Sequence, residues 1–372
     1  MAQSLRNRRW FRYLSHACRI IFALTFIVSG FFKAIDPWGT ALNINNYLVA
    51  YNLEVLNPFV MIFSIWLCGA ELMMGCMLLF KVRIRLISIF AVLSMTFFTI
   101  LTFLSATVIP VEDCGCFGEV VKLTPWQTFA KNLVLYPMAI CFWYRYRPDK
   151  IFSFSRLELF LTLFFFSLAM SVGTYSYYHL PPIDLLPYKK GVNIAASIEQ
   201  AHAKQTSDEV VLVYRNRRTG KLKEFSLKDN AWHNEKRWEW VETRVEEGSG
   251  KVEPMILEFY ISDNEGDRTD SLLSIPGRLY MLCVSDFDRL DEDVASSLGA
   301  AVRHASIEDT VICLTPEPLA DGQTITFAGA PSVKCYNMDA KTLKTMLRAD
   351  FGLVVLDNGT IVEKFNYRDI PY

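Results

Sequence analysis

Residues 58–80 read PFVMIFSIWLCGAELMMGCMLLF, an apolar run that holds a single charged side chain, Glu71. A helix of about 20 mostly apolar residues crosses the hydrocarbon core of a bilayer. Four more stretches qualify by the same measure, at residues 17–35, 86–109, 126–144 and 157–177. The sequence therefore predicts a membrane protein with five transmembrane helices.

The composition changes at about residue 180 of the sequence. Hydrophobic residues make up 52% of the 372 residues, and the apolar runs that raise this average lie before that point. From residue 184 onward the chain reads as an ordinary charged soluble protein. The formal net charge is −1, so no basic excess indicates a nucleic-acid partner.

Basic residues in the short loops predict the orientation of the helices, because Lys and Arg favour the cytoplasmic side. Every second loop is basic, and the loops between carry few Lys or Arg. The basic residues are Arg6, Arg8, Arg9, Arg12, Lys81, Arg83, Arg85, Arg145, Arg147, Lys150 and Arg156. We expect a multi-pass protein of the bacterial inner membrane, with a cytoplasmic N-terminus. Residues 110–125 and the C-terminal half would then be extracytoplasmic.

Four regions follow from these patterns. Residues 1–150 are predicted to form a four-helix membrane domain, and residues 151–193 a fifth transmembrane helix with a proline-containing linker. Residues 194–252 are predicted to be a β-rich extracytoplasmic segment. Residues 253–372 alternate β-rich with helical pieces, which is typical of an α/β sandwich around a mixed sheet.

Short β-rich runs bounded by turn residues predict the strands of the soluble half. They lie at residues 210–214, 224–227, 279–284, 310–314, 353–356 and 361–365. The last two runs are joined by the sequence DNGT, a strong hairpin signal. Helical patterns lie at residues 286–304 and 340–348, and residues 40–51 are expected to form a short interfacial helix or loop.

The peptide VEDCGCFG, residues 111–118, places Cys114 and Cys116 one residue apart on a short outer loop. Such a pair can close a local disulfide, with Gly115 supplying backbone angles that a Cβ would resist. The small ring departs from the preferred disulfide geometry, and a strained, exposed disulfide is the more oxidising kind. Lys131 on the next helix would favour the thiolate of a nearby Cys.

Other interpretations of this pair remain open. Either thiol could anchor the loop through a bridge to Cys283, Cys313 or Cys335, or both could be inert. A metal site is a further alternative, but two ligands are too few for a closed structural zinc site, and no metal is predicted.

The remaining cysteines are expected to pack as small hydrophobic side chains. Cys18, Cys68, Cys76 and Cys141 fall within or at the edges of the predicted helices. Cys283 and Cys313 lie in apolar strands, so we expect them to be buried and inert.

Glu71 lies near the middle of its predicted helix, where an unpaired carboxylate costs several kcal/mol. One interpretation is a proton relay or a group that contacts a quinone. The other is a packing residue, hydrogen-bonded to Lys33, Asn132 or a neighbouring hydroxyl. Lys33 itself is expected to be an interface anchor, and Asn132 to contribute to helix packing.

The first four helices resemble the DoxX-like membrane superfamily, particularly its methylamine-utilisation MauE branch. The resemblance rests on Gly30-Phe31-Phe32-Lys33, on Glu71, on the CGCFG sequence that begins at Cys114, and on Lys131-Asn132. It implies a redox role for Cys114 and Cys116, because MauE is associated with making disulfides in an exported partner alongside a thioredoxin-like protein.

The fold of vitamin K epoxide reductase is a looser resemblance. Those enzymes pass electrons from thiols to quinone, but they use two cysteines spaced by two residues, and this sequence has no such motif. The electron acceptor is therefore left open, with a membrane quinone as one candidate cofactor.

The C-terminal third resembles thioredoxin-like proteins of the peroxiredoxin and TlpA type. Residues 254–271 look like their leading strand and turn, residues 279–284 like the strand before the active site, and residues 352–364 like the closing hairpin. However, SDFDRL follows Val284, where these proteins carry Cys-x-x-Cys. The domain is therefore expected to bind a partner without dithiol exchange of the thioredoxin kind.

Together these patterns predict a bacterial membrane thiol–disulfide or electron-transfer component, either an oxidoreductase or an accessory to one. It would act through Cys114 and Cys116 and support disulfide formation or maturation of exported proteins. Its expected partners are membrane lipids and an extracytoplasmic thiol protein or thioredoxin-like protein. The competing hypothesis is a non-enzymatic membrane scaffold whose extracytoplasmic domain binds a partner.

Overall fold

The chain divides into a helical unit and a strand-rich unit. The structure, a computed structural model, describes residues 8–108, 115, 123–146, 155–184, 186–205, 209–216, 222–226, 238–246, 259–305 and 309–372. One compact unit comprises residues 1–186, 347–352 and 365–371, and the other comprises residues 187–346, 353–364 and 372.

Long helices fill the described part of the first unit up to residue 178. They are α1 (Arg9–Ile35), α2 (Pro37–Ala50), α3 (Val60–Phe80), α4 (Ile84–Thr107), α5 (Pro125–Tyr146) and α6 (Arg156–Tyr178), with a 3₁₀ helix, Glu54–Phe59, before α3. Within the described residues, four helical stretches are long and apolar enough to cross a membrane: α1, Glu54–Phe80, α4 and α6. The chain is therefore a multi-pass membrane protein, as predicted.

The fourth predicted span along the chain forms a helix but differs from the other four in composition. Residues 126–144 lie within α5, which is not among the four stretches. Gln127, Lys131 and Asn132 lie in its first two turns, and such polar side chains lower the mean hydropathy of a helix. The helix at this position is confirmed, and its passage through the membrane stays a prediction.

The predicted interfacial helix, residues 40–51, begins earlier than expected. Asp36 ends α1 and caps α2, where its Oδ1 accepts a hydrogen bond from the Gly39 backbone N–H at 3.0 Å. Pro37 takes the first position of α2, where a missing N–H is not needed. This Asp-Pro junction turns the chain directly from one helix into the next.

Two glycines allow α1 and α3 to approach closely. A Cβ on Gly30 would lie 2.5 Å from the backbone nitrogen of Leu72, and a Cβ on Gly75 would lie 2.7 Å from that of Ile27. Small residues at such contacts are typical of helix packing in membranes. The contact fixes the register of the two helices.

Aromatic and sulfur side chains fill the core of the helical unit. Phe22 stacks on Phe26 with ring centroids 4.4 Å apart, and Phe142 of α5 meets Phe22 edge-on at 5.2 Å. Cys18 and Cys68 are buried, as expected of cysteines that pack as hydrophobic side chains.

The second unit contains an antiparallel sheet of three described strands. Helix α7 (Ile194–Gln205) precedes β1 (Glu209–Asn216), β2 (Leu222–Ser226) and β3 (Trp238–Glu246). The strand order is β2-β1-β3. Pairing of β1 with β2 confirms the hairpin predicted at residues 210–214 and 224–227.

The remaining strands form a mixed sheet. They are β4 (Ile261–Asp263), β5 (Gly266–Asp267), β6 (Arg278–Val284), β7 (Thr310–Thr315), β8 (Thr324–Thr326), β9 (Ser332–Met338), β10 (Phe351–Asp357) and β11 (Thr360–Asn366). The order is β11-β10-β6-β7-β9-β4-β5, and β8 also pairs with β9. β6, β7 and β9 run parallel, whereas β4 and β8 run antiparallel to β9.

The helices between these strands are α8 (Thr269–Leu273), α9 (Glu292–His304) and α10 (Ala340–Leu347). In the turn between β10 and β11, Asn358 and Gly359 have φ angles of 47° and 75°, as a two-residue hairpin requires. The mixed α/β character is thus confirmed, and the finer assignment to a thioredoxin-like fold stays a prediction.

Candidate functional site

Gly115 is the described residue of the Cys-Gly-Cys peptide. Cys114 and Cys116 lie outside the described residues. The φ angle of Gly115 is +59° and the residue is buried. That angle is in the left-handed region, which glycine adopts without steric cost. The position therefore has the backbone conformation that the sequence predicted for it.

Asn43 of α2 packs directly against Gly115. A Cβ on residue 115 would lie 2.4 Å from Asn43 Nδ2 and 2.8 Å from its Cγ. Asn43 is only 8% exposed, and its Nδ2 has no hydrogen-bond partner within the part of the chain that the structure describes. Gly115 thus packs on α2, with an amide donor directly against it.

The polar residue at the middle of α3 is half of a buried ion pair. Lys33 Nζ lies 2.7 Å from Glu71 Oε1 and 2.9 Å from Oε2. Ser29 Oγ donates to Glu71 Oε2 at 2.9 Å. The side chains of Lys33 and Glu71 are 6% and 5% exposed, so each charge depends on the other for compensation.

The contacts of Glu71 can be compared with the predictions made for Glu71 and Lys33. Lys33 and a neighbouring hydroxyl are the hydrogen-bond partners that the packing interpretation of Glu71 named. Lys33 was expected to be an interface anchor, and this was wrong. Gly30 lies three residues before Lys33, on the same helical face. Its close contact with Leu72 therefore brings the Lys33 ammonium to the adjacent Glu71.

Asn132 of α5 bonds to α4. Its Nδ2 donates to Thr102 Oγ1 at 3.3 Å and to the Phe98 carbonyl at 3.4 Å. The Phe98 ring in turn lies 5.9 Å from Lys33 Nζ, which is within the range of a cation–π contact. The packing role expected of Asn132 agrees with these bonds.

A cavity of about 520 Å³ opens beside Glu71, lined mainly by α3 and α4. Most lining side chains are apolar, including Met73, Met74 and Phe97, and Arg83 at the start of α4 is a second charged lining residue. Glu71 therefore touches both the buried ammonium and a space large enough for a small molecule. Its proposed role as a proton relay or quinone contact stays a prediction.

Lys131 lies in the second turn of α5 and is half-buried. Its expected role is to stabilise a thiolate of Cys114 or Cys116, and it stays a prediction because both thiols lie outside the described residues. For metals, the described ranges contain no group of three or more His, Cys, Asp or Glu side chains arranged to hold an ion.

Comparison with known proteins gives a family match for part of the helical unit. Residues 11–145 match the family described as Methylamine utilisation protein MauE. The matched segment runs from α1 to α5 and includes Lys33, Glu71, the Cys-Gly-Cys peptide and Lys131. The MauE resemblance is thereby confirmed for this region. Membership of the wider DoxX superfamily stays a prediction.

A curated relative is Protein TlpB of Flavobacterium psychrophilum. It is 32% identical over 130 residues, which are 33% of this chain and 34% of the relative. The chain thus spans about a third of the length of the curated relative that it matches. No solved structure matches the chain.

The sequence did not indicate that Asn43 contacts Gly115. Asn43 is one of three asparagines in the segment TALNINNY, and nothing in the pattern separates it from Asn45 or Asn46. Only the three-dimensional contact with Gly115, which is distant in the chain, distinguishes it.

Proposed function

We propose that this membrane protein takes part in thiol–disulfide exchange, through Cys114 and Cys116, during maturation of exported proteins. The observation that carries the proposal is the MauE match over residues 11–145, which contains the Cys-Gly-Cys peptide. The left-handed backbone of Gly115 gives independent support, because a ring closed over one intervening residue needs such a tight turn.

The proposed exchange conserves atoms and electrons. A thiolate of the partner attacks one sulfur of the Cys114–Cys116 disulfide and forms a mixed disulfide. The second partner thiolate then attacks the partner's sulfur in that bond. The partner leaves oxidised, and the Cys114 and Cys116 thiols retain the two electrons and take up two protons.

The cycle needs an acceptor that restores the disulfide. A membrane quinone has the right stoichiometry, because its reduction to a quinol takes up two electrons and two protons. In this proposal Glu71, which touches both Lys33 and the cavity, exchanges protons during reoxidation. Lys131 favours the thiolate form of the pair, since a nearby positive charge lowers a thiol pKa.

The proposal also assigns each part of the chain to a side of the membrane. In this proposal the membrane is the bacterial inner membrane and the N-terminus is cytoplasmic, because Lys and Arg in the short loops favour the cytoplasmic side. The Cys-Gly-Cys peptide and the strand-rich unit would then lie outside, where disulfides persist. The strand-rich unit would bind the exported thiol protein or its thioredoxin-like partner.

Mixed-disulfide trapping tests this function. In Cys116→Ala, the Cys114 thiolate can still attack the disulfide of an oxidised partner, which is the reverse of the exchange. Cys116 is then missing as the thiol that would resolve the mixed disulfide, so the complex should accumulate and disappear on reduction. Affinity capture from membranes under non-reducing conditions, followed by mass spectrometry, measures it. Cys114→Ala/Cys116→Ala is the matched control and should capture no partner through a disulfide. Equal capture by both variants would contradict the exchange.

The second candidate, a non-enzymatic scaffold, is favoured by one observation. SDFDRL follows β6, where a thioredoxin-like redox domain would carry its Cys-x-x-Cys. The redox state of Cys114 and Cys116 in cells separates the two functions. A mixed population of thiols and disulfides supports exchange, and permanent thiols support the scaffold.

A further inference from the structure

Cys313 and Cys335 lie side by side on two parallel strands of the mixed sheet. The register pairs Cys335 of β9 directly with Cys313 of β7. Neighbouring strands are about 4.8 Å apart, which falls within the roughly 4.4–6.8 Å that separates the Cα atoms of disulfides. Paired residues also present their side chains to the same face of a sheet.

The two thiols interact with each other. A hydrogen bond between them raises the pKa of Cys313 well above its usual range and lowers the pKa of Cys335. Cys335 is thus the better thiolate former of the two. Both residues are buried, with exposed fractions of 0% and 3%.

Cys283 is close in the sheet but differently placed. Its strand, β6, pairs Leu282 with Cys313 and Cys283 with Leu314. Because side chains alternate between the faces of a strand, Cys283 lies on the face opposite to Cys313. Burial also raises the pKa of Cys283 to about 12. It is therefore a natural control for a reaction between the other two.

We propose that Cys313 and Cys335 are a second redox-active pair, which closes to a disulfide between β7 and β9. The oxidant is a low-molecular-weight disulfide. The Cys335 thiolate attacks one of its sulfurs and releases one small thiol. Cys313 then attacks Cys335 in the mixed disulfide and releases the second. Two small thiols are produced for each protein disulfide, so electrons and protons balance.

Burial determines when this reaction occurs. Cys313 and Cys335 are 0% and 3% exposed, so an oxidant reaches Cys335 only when this part of the second unit opens locally. The new bond would then join β7 to β9 and hold the intervening segment, including β8, in place. The proposal therefore goes beyond exchange at Cys114 and Cys116 and does not depend on it.

The tryptic map of the chain allows a direct test. Trypsin cleaves after Lys334, so Cys313 and Cys335 fall in separate peptides, residues 304–334 and 335–341, while Cys283 falls in residues 279–289. The full chain in detergent, as Cys114→Ala/Cys116→Ala, is incubated with oxidised glutathione. Mild urea is added to open the strands, and free thiols are then blocked and the peptides are analysed without reduction.

Peptides 304–334 and 335–341 should be linked, with a combined mass lower by two hydrogen atoms. Adding Cys283→Ser should leave the link intact. Adding Cys335→Ser should abolish the link, and no disulfide between Cys313 and Cys283 should form in its place. Two blocked thiols, or a lasting glutathione adduct on Cys335, would overturn the proposal. Since the unsubstituted pair is read out directly, misfolding of the Cys335→Ser variant cannot hide the result. Because the tested chain carries Cys114→Ala/Cys116→Ala, its result is independent of the proposed function.

Discussion

Lys33 and Glu71 form an ion pair between α1 and α3, with Nζ and Oε1 2.7 Å apart and both side chains about 95% buried. Breaking such a pair by removing one partner leaves a buried charge without compensation. The loss is about 3–5 kcal/mol, whereas replacing both partners with apolar residues is often neutral. We therefore expect single and double substitutions of this pair to differ in stability, which would not be expected for a surface salt bridge.

Lys33→Met and Glu71→Leu should each destabilise the protein strongly, and the double variant should recover most of the loss. Thermal unfolding of the protein in detergent measures this, and Glu54→Gln, at an exposed position, is the control. If Glu71 also exchanges protons, the stable double variant should reoxidise Cys114 and Cys116 slowly. Additive losses in the double variant would contradict the coupling.

Gly115→Ala should impair exchange at the Cys-Gly-Cys peptide for two separable reasons. The left-handed backbone costs a non-glycine residue about 1–2 kcal/mol, and the new Cβ would collide with Asn43. Asn43→Ala removes Nδ2 and Cγ, the two atoms nearest to the new Cβ, and leaves the Asn43 Cβ at 3.1 Å. In the Cys116→Ala background, Gly115→Ala/Asn43→Ala should therefore trap more partner than Gly115→Ala. Capture efficiency measures this. Asn46→Ala, at an exposed position of the same helix, should give no rescue.

Single substitution of Cys114 or Cys116 should abolish exchange at nearly normal protein abundance. A bridge over one residue constrains almost no chain entropy, whereas a bridge from this loop to Cys283, Cys313 or Cys335 could contribute roughly 4–5 kcal/mol. Immunoblots and partner oxidation measured on the same cells distinguish the cases. Depleted protein would indicate a structural bridge, and an active Cys114→Ala/Cys116→Ala variant would end the redox hypothesis.

Lys131→Met should slow alkylation of Cys114 and Cys116 at pH 7. Removing a nearby positive charge raises the thiol pKa, so less thiolate is present at a given pH. The rate profile should shift to higher pH, and its plateau should not fall, because a thiolate of higher pKa is the stronger nucleophile. Lys131→Arg keeps the charge and should retain the original profile. An unshifted profile in Lys131→Met would remove this residue from the proposed site.

Reporter fusions after Lys81, Asp113, Lys150 and Gly191 should report inside, outside, inside and outside. The third and fourth signals depend on α5, which is not among the four described stretches that are long and apolar enough to cross a membrane. If α5 does not cross, the last two signals exchange. The strand-rich unit would then face the cytoplasm, which would remove the oxidising context of its cysteines.

Hydropathy located the membrane helices, because transfer into a bilayer depends mainly on composition over about 20 residues. The partnership of Lys33 with Glu71 was also accessible, since a charge in the membrane requires compensation. β9 was missed because Ser332, Lys334 and Asn337 interrupt its apolar pattern. Its strand conformation depends on the pairing with β7. The contact of Asn43 with Gly115 has no local signal at all.

The shared burial of Lys33 and Glu71 also bears on how the protein is made. Each residue alone is costly in the hydrocarbon core, so neither α1 nor α3 is well suited to stay there as a separate helix. The close contacts at Gly30 and Gly75 fix the register of α1 and α3 in which Lys33 meets Glu71. We therefore expect α1 to remain with the insertion machinery until α3 has been synthesised, so that the two enter the lipid as one hairpin.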